Sequence, residues 1–192
     1  MHHIYHTEGI ILGSRNFGEA GRYYSIFTRD LGMISASARG VREMSSKLRF
    51  ILQDFAYLKI DLVKGKDFWR LTSASKTNKF ERLFKPEIFK VLVNISKLLK
   101  RLLAGEDKNE VLFDDLLKGL YILENAKTKN ELNNVEIVIV LRILNNLGYI
   151  GSGDELKDFI ESPFEEDLVF KISESKTKML HQINKALKET HL

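Results

Sequence analysis

The apolar residues of this chain keep two different periods, and the change between them falls near residue 80. In Tyr57-Leu58-Lys59-Ile60-Asp61-Leu62 they alternate. Leu58, Ile60 and Leu62 take one face and Lys59 and Asp61 the other, as in a half-buried strand. From Pro86, which suits a first helical turn, Ile88, Leu92, Ile95, Leu99 and Leu102 recur at helical spacing until Gly105. Strands followed by helices predict a β part and then an α part, divided as 1–80 and 81–192. The join near Lys76–Lys85 has no Pro/Gly-rich linker, so the two parts are expected to pack together.

Within the first part, strands are expected at Thr7–Leu12, Arg22–Thr28, Gly32–Ala38, Tyr57–Leu62 and Asp67–Ser73. Asp30-Leu31-Gly32 reads as a tight turn. Lys64-Gly65-Lys66 reads as a hairpin turn with Gly65 at positive φ. Five strands with the widest gap between the third and fourth are the layout of a small Greek-key barrel such as an OB-fold. In the second part, helices are expected at Pro86–Gly105, Glu110–Asn125, Glu131–Leu147 and Ser175–Glu189, making an all-α domain. Val138-Ile139-Val140 also fits a strand, but the apolar pattern around it is too long for one.

Composition narrows the chemistry. With no cysteine the chain can form neither a disulfide nor a thiolate metal site, and it has no thiol nucleophile. Its five histidines, at 2, 3, 6, 181 and 191, show no metal-ligand spacing, so no cofactor or metal is expected. Gly18-Glu19-Ala20-Gly21-Arg22 lacks the Gly-Lys-Ser/Thr of a phosphate loop and reads as a strand connection, with Glu19 and Arg22 as a candidate pair. No GxSxG elbow accompanies the serines, and the chain is expected not to be an enzyme. The N-terminus does not resemble a signal peptide and no apolar run could span a bilayer, so a soluble cytoplasmic protein is expected.

The net charge of +4 is uneven. Residues 1–80 carry 13 Lys/Arg against 7 Asp/Glu, whereas residues 81–192 carry 17 against 19. The acidic extreme is Asp154 to Asp167, whose only base is Lys157, and it reads as a solvated surface. Such asymmetry suggests an anionic partner for the first part, nucleic acid foremost; chance clustering of solvated charge is the plainer alternative. The basic charge concentrates in Ser35-Ala-Ser-Ala-Arg-Gly-Val-Arg-Glu-Met-Ser-Ser-Lys-Leu-Arg49, between the third and fourth strands. There Arg39 and Arg42 could reach adjacent phosphates, Lys47 and Arg49 extend the track, and Ser45 and Ser46 can donate hydrogen bonds. The hairpin adds Lys64, Lys66 and Arg70, with Trp69 or Phe68 as a candidate stacking platform. Strand alternation requires one of those two rings to face inward. Arg22 completes the set of candidate DNA-binding residues.

Several strings, in order, resemble the N-terminal domain of the RecO family of bacterial recombination-repair mediators. They are Glu8-Gly9-Ile10-Ile11-Leu12, Gly18-Glu19 with Arg22, Phe27-Thr28-Arg29-Asp30-Leu31-Gly32, Ala38-Arg39-Gly40-Val41-Arg42, Ser46-Lys47-Leu48 and Leu52-Gln53-Asp54-Phe55. Leu141-Arg-Ile-Leu-Asn-Asn-Leu-Gly-Tyr149 resembles the family's helical segment ending in Leu-Gly-Tyr. The resemblance implies an OB-fold followed by a helical domain, and binding to single- and double-stranded DNA. It further implies strand annealing, association with RecR and work alongside single-strand-binding protein at the nucleoid, in DNA repair and recombination after DNA damage. The family's basic element falls on Arg39 and Arg42, and its Ser-Lys element on Ser46 and Lys47. Many members carry a four-cysteine zinc site soon after Leu-Gly-Tyr, where this chain has Gly151-Ser152-Gly153 and then the acidic stretch. A protein-binding OB adaptor and an RNA-binding OB protein without annealing activity are the alternatives.

Overall fold

The structure, a computed structural model, describes residues 3–77, 80, 85–103 and 105–189. It divides into two compact units, one of residues 1–81 and 103–110, the other of 82–102 and 111–192. Most of the join expected between Lys76 and Lys85 lies outside the described residues, as do His2 and His191.

The first unit is a closed barrel of β1 (Ile4–Phe17), β2 (Gly21–Thr28), β3 (Gly32–Ala38), β4 (Tyr57–Lys64) and β5 (Trp69–Lys76). Its order, β1-β2-β3-β5-β4, is that of an OB-fold, with every pair antiparallel except β3–β5. Closure depends on β1. Its first half pairs with β4 through Ile4–Ile10, and its second with β2 through Gly9–Phe17. The register shifts between Ile11 and Gly13, a bulge of the kind that bends a strand around a barrel. Inward-facing Ile11, Tyr24, Ile26, Ile34, Ala36, Leu58, Ile60, Leu62, Trp69 and Leu71 fill the interior. Ala36 stands opposite Trp69, so a small residue leaves room for the indole.

The cationic β3–β4 connection is no free linker. Val41 and Leu52 sink into the barrel core. Backbone bonds tie the segment down from Arg42 N to Ala20 O at 2.9 Å and from Phe55 N to Ile11 O at 2.7 Å. Between them lies a 3-10 turn, Lys47–Phe50. Residues 103–110 also belong to this unit: Met33 N donates to Gly105 O at 3.1 Å, and Lys108 pairs with Asp30 at 3.5 Å. One local expectation fails. Gly65 is not among the positive-φ residues. It is glycine because its N–H donates to Phe68 O at 3.1 Å and any Cβ would strike that same oxygen.

The second unit comprises α1 (Pro86–Leu102), α2 (Glu110–Asn125), α3 (Lys129–Asn146), α4 (Asp154–Glu161) and α5 (Glu166–Glu189). α3 is its central element, with Val135, Val138, Leu141 and Leu144 fully buried and α1, α4 and α5 packed on it. Two features depart from expectation. α5 begins at Glu166 rather than Ser175, because Leu168, Val169 and Ile172 extend its buried stripe. The acidic stretch is mostly helical and not merely solvated, since Leu156, Phe159 and Phe164 within it are buried. Arg142 of α3 holds that region: it donates to Phe159 O at 3.0 Å and to Ser162 O, and pairs with Asp115 at 3.2 Å. Among the described residues no helix is long and apolar enough to cross a membrane.

Candidate nucleic-acid interface

Period-2 alternation sorts the barrel's polar residues into two places. On β2, Arg22 and Tyr24 point inward while Tyr23 points out. Register then sets a row across the outer face: Arg15 stands opposite Tyr23, Tyr23 opposite Ser37, and Ser37 opposite Arg70. The row crosses β1, β2, β3 and β5.

Beside it lies a groove of about 430 Å³ that also takes in Phe17, Arg39, Lys66 and Phe68. Three rings form a chain along it, with centroids 4.2 Å apart from Phe17 to Tyr23 and 5.0 Å from Tyr23 to Phe68. The Arg15 guanidinium lies 5.2 Å from the Tyr23 centroid. Gly21 makes room for the first ring, since a Cβ there would come within 2.5 Å of Phe17 Cζ. Arg39, Lys66 and Arg70 are exposed and have no ion pair among the described residues. Lys64 is engaged: Glu106 accepts from its Nζ at 3.0 Å and from Trp69 Nε1 at 2.8 Å. Lys64 is the leading cause that holds the Glu106 carboxyl below its ordinary value.

Trp69 therefore offers no stacking face. It is 3% exposed in the barrel core with its N–H satisfied, and the exposed ring of the pair is Phe68, at 42%. Arg39 and Arg42 do not share a groove either. Arg42 lines a separate recess of about 470 Å³ with Arg22, Tyr24, Arg49 and Gln53, rimmed by exposed Met44 and Phe50. Arg22 Nε donates to Asn16 at 2.9 Å rather than to Glu19. Lys47 is exposed on the 3-10 turn, outside both grooves, and the Ser46 side chain makes no cap bond to that turn. Sequence reasoning missed Arg15, Phe17 and Tyr23. Carrying the alternation of β2 back from Tyr24 would have turned Tyr23 outward.

This fold and face can be set beside known proteins. Residues 1–80 match the family model described as Recombination protein O N terminal, and residues 90–152 match Recombination protein O C terminal. The chain belongs to the RecO family. Curated RecO relatives include DNA repair protein RecO of Heliobacterium modesticaldum, 31% identical over 147 residues, which cover 76% of this chain and 52% of the relative. DNA repair protein RecO of Desulfitobacterium hafniense is 27% identical over the same shares, and that of Acetivibrio thermocellus 28% over 74% of this chain and 57% of the relative. The chain thus spans about half the length of the RecO relatives it matches. A RecO-type thiolate zinc site does not fit these residues, because the chain has no cysteine. Nor, among the described residues, do three or more His, Asp or Glu converge on a metal position.

Proposed function

We propose that this chain is a non-enzymatic DNA-binding recombination mediator. In this reading the barrel of residues 1–80 holds DNA and the helical part, 81–192, supports it and recruits partners. The observation that carries the reading is the outer groove. Three rings at stacking distance, Phe68 exposed and Phe17 and Tyr23 half-buried, lie beside unpaired cations, on the barrel face where OB-folds take single strands. Phosphates meet Arg39, Lys66 and Arg70, and bases stack on Tyr23 and Phe68. Binding is largely indifferent to sequence, because every base has a π-face. Binding of double-stranded DNA, strand annealing, and cooperation with RecR and single-strand-binding protein at the nucleoid rest on family membership.

Fluorescence-anisotropy titration of labelled single-stranded DNA across a salt series tests this, with Arg39→Ala/Arg70→Ala beside the wild type. The wild type should bind with a steep salt slope, and losing two phosphate contacts should flatten it by about 1.4, at about 0.7 each. Tyr23→Ala should weaken binding by roughly 1–3 kcal/mol with the slope unchanged. No DNA binding near physiological salt would instead favour a protein-binding adaptor, and preference for RNA of equal sequence an RNA-binding role.

A further inference from the structure

Arg39 and Arg42 leave the same short loop for different recesses, one on the barrel's outer face and one beside inward-facing Arg22 and Tyr24 at its mouth. We propose that the mouth recess is a second nucleic-acid site, in which Arg22, Arg42, Arg49 and the Tyr24 hydroxyl hold the sugar-phosphate backbone of one single strand while the outer groove holds another by its bases. The inference rests on the DNA-binding reading above and adds that one barrel takes two strands.

The recess is built for an anion. No carboxylate pairs with any of its three guanidinium groups among the described residues. Arg22 commits Nε to Asn16 and its guanidinium also faces the Tyr24 hydroxyl, Arg42 is exposed, and Arg49 Nη1 contacts the Met44 thioether, a weak acceptor, at 2.8 Å. Planar guanidinium forks match phosphate oxygens two at a time. Beneath them the Tyr24 hydroxyl, in a residue only 1% exposed, lies near the Arg22 guanidinium but makes no hydrogen bond of normal geometry. Native structures rarely leave such a group unsatisfied. Burial pushes its pKa up, against the pull of Arg22 and with a smaller push from Asp54, so the hydroxyl keeps its proton and can donate. Asp54 is the acid on the inner side; its Oδ1 is likewise buried and without a partner.

The two sites also differ in kind. The outer groove lines up three rings, whereas the mouth has one exposed ring, Phe50, with the Arg49 guanidinium 5.5 Å from its centroid. The mouth therefore binds chiefly by charge and leaves its strand's bases free to pair. The outer groove binds through bases as well as phosphates.

The test uses the full chain and oligothymidylates of about ten nucleotides, near the footprint of one OB barrel. These strands cannot pair with one another, and carry donor or acceptor dyes. Energy transfer in the mixture, with two strands per chain by sedimentation, is the expected result for the wild type. Arg42→Ala/Arg49→Ala should bind one strand per chain and lose the transfer, with first-strand affinity unchanged within about twofold, as for independent sites. Tyr24→Phe, which removes only the hydroxyl, should weaken the second strand alone. One strand per chain in the wild type, or a mouth variant that weakens the first strand as much as Tyr23→Ala/Phe68→Ala does, overturns the inference and leaves single-site DNA binding standing. A wild type that binds no strand overturns the DNA-binding reading and this inference together.

Discussion

Glu106 holds a candidate DNA contact in reserve. Its carboxylate accepts from both Lys64 and the Trp69 indole, so a phosphate reaching Lys64 must compete with it. Glu106→Gln keeps an oxygen for the indole N–H and removes the charge. The variant should bind single-stranded DNA several-fold more tightly, with a salt slope steeper by about 0.7, in the same anisotropy titration. The ion pair itself is half-exposed, worth about 0–1 kcal/mol to stability. That share is present above the ordinary carboxylate pKa and is lost as pH falls through the depressed one. Gly32 is a sharper case. Its φ is +65°, and a Cβ there would collide with the Asp107 backbone. Gly32→Ala should therefore lower thermal stability by more than the ~1–2 kcal/mol of a left-handed alanine alone. At this scale the sequence was half legible. Alternation demanded that one of Phe68 and Trp69 face inward, but only the space above Ala36 and the acceptor on Glu106 decide that it is Trp69.

Strands and helices were legible where a period was long or a turn was marked. β3 and α2 have the predicted bounds, and the expected five strands are all present. α4 was not legible, because its acids mask a stripe that only Leu156 and Phe159 reveal. Nor was the division of the basic loop between two recesses, which follows from barrel closure and not from spacing along the chain. Two elements carry predictions of their own. On β4, the buried Tyr57 donates to Glu8 at 2.7 Å, while Arg29 pairs with the same carboxylate at 3.2 Å. Burial, then the bond to Glu8, pushes the Tyr57 phenol up to about 12. The unfolded chain loses that proton near 10, so the contribution is complete below pH 10 and disappears as pH rises towards 12. Denaturant titrations over that range should show a fall that Tyr57→Phe lessens by roughly 1–3 kcal/mol. At the start of α3, the Thr128 hydroxyl accepts from Glu131 N at 3.2 Å, and Thr128→Ala should cost about 1 kcal/mol by the same titration at neutral pH.

Over the whole molecule, the division of the chain is less simple than a cut after the last strand. Residues 103–110 belong to the barrel unit although α1 precedes them. A fragment ending at residue 81 would leave the Trp69 N–H buried without its acceptor, a loss of about 1–3 kcal/mol. Trp69 is the chain's single tryptophan, so its fluorescence reports on this directly. In the fragment its emission should shift to the red and become more open to acrylamide quenching, whereas Glu106→Gln in the full chain should leave both unchanged. The detour has a consequence for synthesis. Domains generally fold as they leave the ribosome, N-terminal first. Here the last strand is made well before the residue that satisfies its indole, so the nascent barrel must wait, incompletely bonded, until an entire helix of the other unit has been translated.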